Sequence, residues 1–175
     1  MDLYLSIGDE EGAVRARQAL VLGAFLGGDP EAARSLESEN LEAFRRSGSW
    51  YRVADSLTLL SAVAIDAGDA DGAARYIHEA LAIVGARGMA TPIVGGLGVA
   101  ALIALAREDP ETAARLAGAS AALAERSETA NAMIEVLHMP DPVEAVRQRL
   151  GPAAEPLLAE GGALSVEEAV ALASR

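Results

Sequence analysis

The run Gly95-Gly96-Leu97-Gly98 is the part of this sequence that most resembles a chemical device. Glycines at this density let backbone amides close on a phosphate, but such a cradle also needs a strand before it and a helix after it. Two histidines, His78 and His138, stand far apart and lack metal-ligand spacing. Glu10-Glu11 and Glu167-Glu168 are acid pairs, each at the expected start of a helix, where carboxylates suit the positive end of the dipole. Trp50-Tyr51-Arg52 brings together the three residue types most enriched among binding hot spots. The competing reading is that these side chains staple a helix start onto its neighbour. No nucleophile with a base, metal cluster or cofactor motif is present, so a non-enzymatic chain without cofactors or metals is expected.

Composition narrows the classes further. Apolar residues make up 51% of the 175, yet aromatics only 3%, so alanine, leucine and valine must do the packing. Alanine has the highest helix propensity, and no stretch alternates with the period of two that marks strands. The net charge of −12 argues against direct nucleic acid contact, which needs a basic face. Cysteine is absent, which excludes disulfides and thiolate sites. No run approaches the length of a membrane span, and the first residues lack the basic region of a signal peptide. A cytoplasmic location is the default expectation.

The elements that must position these residues come from an internal repeat. Gly8, Gly48 and Gly88 recur every 40 residues. Midway between them run Gly28, Gly68 and Glu108, each followed by an aspartate: Asp29, Asp69 and Asp109. Apolar columns keep the same frame: Ala24/Ala64/Ala104, Phe25/Ile65/Leu105, Ala33/Ala73/Ala113, Leu41/Leu81/Ala121 and Phe44/Val84/Ala124. A glycine just past a helix closes it in the left-handed conformation, and the aspartate caps the next helix. Pro30 and Pro110 then fall in the first turn, where no N–H is needed. The frame predicts A helices near 9–26, 49–66 and 89–106, and B helices near 30–46, 70–86 and 110–126. It places the glycine run inside the third A helix. Two accounts remain for that run: close packing against the second A helix, or space cleared for a ligand.

Both ends depart from the frame. Residues 1–7 align with 41–47, with Tyr4 in the Phe44 column, and read as the end of a B helix whose beginning is missing. The expectation is a fragment of a longer chain or a short first helix, with an exposed apolar end that is covered or dimerises. Residues 128–175 are expected to form a cap over the array at 1–127. In the cap, 129–138 would begin a fourth A helix, stopped by Pro140 and Pro142. Short helices follow from Pro142 to Gly151, over 153–160 up to Gly161-Gly162, and from the capping box Ser165-Val166-Glu167-Glu168 to about Ser174.

Gly68-Asp69 followed by Ala73, Ile77, Ala80 and Leu81, with Leu57, Leu60 and Ser61 before them, resembles a tetratricopeptide repeat with lengthened helices. The implied fold is an all-α, right-handed α-solenoid of antiparallel hairpins, spanning 9–46, 49–86 and 89–126. From residue 108 onward, Ala113 to Ala119 and Gly162 to Ala173 are similar to the C-terminal end of LuxR-type and related signalling-ATPase transcription factors of bacteria. That resemblance implies an interaction or sensor arm of a regulator, or else a standalone homodimeric adaptor. In this family the A helices line a concave face. The corresponding positions are Arg15, Gln18, Asp55, Thr58, Gly95 and Gly98, above a floor of Leu22, Ala62 and Leu102. Such a groove would take a protein or peptide, or a small amphipathic effector. The alternative is a solvated face without a ligand.

Overall fold

The computed structural model describes residues 10–87, 90–128, 134–135 and 137–175. The expected partial helix at 1–7, Tyr4, Gly8, Gly88 and most of the expected fourth A helix lie outside them, as does the side chain of Arg15. The described residues are helical, with no strand among them. Six long helices follow one another: α1 Glu10–Leu26, α2 Pro30–Ser47, α3 Trp50–Asp66, α4 Ala70–Gly85, α5 Ala90–Ala106 and α6 Pro110–Ser127. Three short ones complete the chain: α7 Pro142–Leu150, α8 Ala154–Gly162 after a 3-10 turn, and α9 Val166–Ala173. The long helices lie within a residue or two of their expected limits. Each packs on the next, and α3 also meets α5.

The turns within the hairpins show why the 40-residue frame exists. Gly28 and Gly68 adopt φ 77° and 79°, and Glu108 takes the same left-handed conformation at 60°. At each turn the aspartate amide reaches back to a carbonyl five residues earlier: Asp29 to Ala24 at 2.9 Å, Asp69 to Ala64 at 2.8 Å and Asp109 to Ala104 at 2.9 Å. The aspartate side chain simultaneously accepts from Ala32, Gly72 and Thr112 amides, respectively. One dipeptide therefore closes a helix by the Schellman pattern and opens the next, each cap contributing about 1 kcal/mol. The Ala33, Ala73 and Ala113 column, next to these turns, is fully buried.

Helix α5 is the centre of the fold. All residues from 93 to 104 are buried, as expected of a helix that is apolar on every side. It contacts α3, α4, α6, α7 and α9. Buried serines tie helices together across the hairpins, Ser61 donating to Ala73 O at 2.8 Å and Ser120 to Val94 O at 2.9 Å. The glycine run is internal to α5. Gly96 faces α4 rather than the second A helix, α3: a Cβ there would stand 2.7 Å from Leu81 Cδ2.

The cap packs mainly on α6. The short helix ends at Gly161-Gly162, as the sequence suggests, with the two glycines as its last residues. They also serve a crossing in which Gly118 of α6 and Gly161 of α8 meet the opposite backbone. A Cβ at Gly118 would come 2.1 Å from Leu158 O, and one at Gly161 would come 1.9 Å from Arg115 O. The expected capping box forms, with Ser165 and Glu168 bonding each other's backbone amides at 3.2 and 2.8 Å.

Candidate functional site

The first hairpin and the helix after it enclose a polar cluster where an apolar core belongs. Glu37, Asn40, Leu41 and Phe44 share one face of α2 at helical spacing, and all are buried. Glu37 is only 2% exposed and Asn40 fully buried. Ser56 of α3 donates to Glu37 Oε1, and Asn40 Nδ2 donates to Glu37 Oε2 at 2.8 Å. Asn40 Oδ1 in turn accepts from Nη1 of Arg17 on α1 at 3.0 Å. Burial pushes the Glu37 carboxyl above its usual range, and the hydrogen bonds from Ser56 and Asn40 hold it back only in part. A buried carboxylate is tolerated here because both of its oxygens are bonded.

Comparison along the repeat shows how unusual these positions are. Forty residues further on, Arg17 is replaced by Leu57 and then Leu97, which are 0% and 1% exposed. Glu37 corresponds to Ile77 and Ala117, at 1% and 0%. Asn40 corresponds to Ala80 and Ser120. Ser56, the donor to Glu37, corresponds to Gly96, where a Cβ would stand 3.8 Å from Ile77 Cδ1. The first unit thus carries a cation, an anion and an amide at three positions that later units fill with apolar or small side chains. In the sequence these residues are marked by their departure from the repeat frame.

Beside the cluster opens a cavity of about 970 Å³. Its apolar lining includes Ala13, Val14, Ala43 and Phe44; its charged lining is Arg17, Glu39, Glu42, Arg46 and Arg52. Three cations against two anions make the lining locally positive, in a chain whose net charge is −12. The charges are not equally satisfied. Arg46 lies 4.0 Å from Glu42. Arg17 is 9% exposed, and its Nε has no hydrogen-bond partner among the described residues. Glu39 Oε2 lies 3.3 Å from that Nε but is not aligned to accept its proton. Arg52 stacks over the Phe44 ring at 5.3 Å and makes no contact ion pair among the described residues.

The residues singled out from the sequence fall in different places. Asp55 is exposed and Gln18 half-buried, whereas Thr58, Gly95 and Gly98 are buried. These residues therefore do not line one open groove. Thr58 turns its hydroxyl back to Ala54 O at 2.9 Å, and the two glycines lie within the enclosed α5. The Asp55 carboxyl is raised above its usual range by the protein around it, opposed by Arg52. Its side chain is nonetheless open to water, so this shift carries little stability. Trp50 and Tyr51 are 37% and 45% exposed and meet edge to face at 6.4 Å. Arg87 covers the Trp50 ring at 4.6 Å. Arg52 alone of this trio reaches the cavity lining. His78 is half-buried and His138 exposed.

No family model, curated protein or solved structure matches the chain. No helix among the described residues is long and apolar enough to cross a membrane.

Proposed function

We propose that this chain is a non-catalytic ligand-sensing or interaction module, with its ligand in the cavity beside α1, α2 and the start of α3. The observation that carries this reading is the polar replacement of three core positions in the first unit, of which Arg17 lines that cavity and Asn40 and Glu37 hold it from behind. Natural sequences depart from their own packing rules mainly where function demands it. The cavity volume also falls within the range of small-molecule sites. The paired helices and the 40-residue frame support an α-solenoid of tetratricopeptide type. The likeness of residues 108–175 to regulator arms supports a place in a transcriptional regulator.

The test uses a neutral fluorescent dye, N-phenyl-1-naphthylamine, as a probe of the apolar wall. The protein is expected to enhance its emission saturably, and Ala43→Trp, which fills the cavity, to remove most of that enhancement. Absence of saturable binding, or an unchanged signal in the folded variant, contradicts the cavity. The regulator reading is tested by the coding sequence upstream of Met1. An ATPase encoded in frame supports it, and a stop codon followed by a ribosome site rules it out.

A further inference from the structure

Building on that reading, we infer that the cavity recognises a carboxylate carried on an apolar body, held by Arg17 and Arg52 and admitted by displacement of Glu39. Arg17 is fixed at one edge of its guanidinium, where Nη1 donates to Asn40, and Asn40 is itself held by Glu37. The rest of the group is pre-oriented by this chain of bonds, so little side-chain entropy is lost when an anion docks. Its Nε is a buried donor without an acceptor among the described residues, a condition that costs free energy until an oxygen arrives. Glu39 stands against that donor at 3.3 Å in poor alignment, on a side chain that is 57% exposed and able to swing into water. It acts as an internal stand-in for the ligand's carboxylate.

Arg52 supplies the second cation. Its stack on Phe44 fixes the guanidinium against an apolar surface, where its charge is less screened than in open water. Phe44, Ala43, Val14 and Ala13 then provide the wall for the ligand's body. A planar guanidinium suits the two oxygens of a carboxylate. The apolar share of the lining distinguishes this site from one for a free inorganic anion.

Octanoate and octanol carry the same chain length and differ in the charged end, so they separate the two claims. In calorimetric titration, octanoate is expected to bind at least tenfold more tightly than octanol. Arg52→Gln should weaken octanoate about tenfold and leave octanol unchanged. Glu39→Gln should tighten octanoate severalfold, an effect that a purely structural role for Glu39 does not produce. Arg17→Gln tests the buried cation, with circular dichroism as the check on folding; Arg52→Gln and Glu39→Gln keep the test decisive if that variant unfolds. Equal binding of octanoate and octanol, or octanoate affinity unmoved by both Arg52→Gln and Glu39→Gln, overturns the carboxylate while leaving the cavity intact. If neither compound nor the dye binds, both readings fail. Tighter binding of inorganic phosphate than octanoate also overturns the proposal.

Discussion

Two equivalent helix contacts in this chain are built from opposite chemistry. Between α2 and α3, Glu37 accepts from Ser56 and Asn40, and Arg17 closes the network from α1. Between α4 and α5, the matching residues are Ile77 and Gly96, which have no polar side-chain atom, and Leu57 takes the place of Arg17. The backbone frame is the same; the interiors are not. The apolar version needs only shape. The polar version needs every partner present, because each buried group left unbonded costs its full desolvation. A buried ion pair is often no more stabilising than apolar residues of the same volume, so the explanation is sought in what the cluster holds in place.

The largest effect is expected from carrying the first unit's chemistry into the second. Ile77→Glu buries a carboxylate with no Ser56 or Asn40 equivalent to bond it, since those positions are Gly96 and Ala80. It should cost about 4 kcal/mol or more, read as loss of the folded baseline or a large fall in the denaturation midpoint. A mild effect would mean that the fold accepts charge at this position anywhere. Next in size, Asn40→Ala removes the bridge between Arg17 and Glu37 and leaves both short of a partner. A destabilisation of about 1–3 kcal/mol is expected by urea denaturation. The triple change Arg17→Leu, Glu37→Ile and Asn40→Ala should behave differently, because it removes both charges and the amide together and gives these three positions the second unit's residues, leaving only the Ser56 hydroxyl without its acceptor. Its stability should lie within about 1 kcal/mol of the parent or above it. Additive losses from the three positions would show that the network is there for stability.

The smallest effect is one of pH. Burial raises the Glu37 pKa above the ordinary 4.5, so over the interval between those two values the folded state holds the additional proton. Stability linked to Glu37 is therefore full below 4.5 and declines as pH rises through the raised value. Glu37→Gln should flatten that decline and leave the neutral-pH stability equal to or slightly above the parent's. The difference in melting temperature between the parent and Glu37→Gln from pH 4.5 to 7 separates this from Asp55, whose raised carboxyl acts in the same sense in both proteins. Glu155 and Glu168, whose pKa values are lowered by Arg147 and by the Ser165 amide, act in the opposite sense below 4.5 and do not interfere.

The helices were legible in the sequence because their ends are local. Gly28-Asp29-Pro30 and Gly68-Asp69 encode a helix stop and a helix start within a few residues, and the apolar columns confirm the period. Contacts between distant elements were not legible in that way. Gly161-Gly162 read correctly as the end of a helix, but only the nearness of Arg115 O shows that Gly161 is also a crossing point between α8 and α6. The candidate site lay between these cases. Its residues sit in the repeat frame, but as breaks in it, and family groove positions led instead to Thr58, Gly95 and Gly98, which α5 and its neighbours enclose.

Whether the polar interior of the first unit serves recognition is isolated by the triple variant. Octanoate titrated into the parent and into folded Arg17→Leu/Glu37→Ile/Asn40→Ala, under one buffer and by calorimetry, measures it directly. The account predicts saturable binding to the parent and at least a tenfold loss in the variant, with the fold retained. Equal affinity in the two proteins would contradict it.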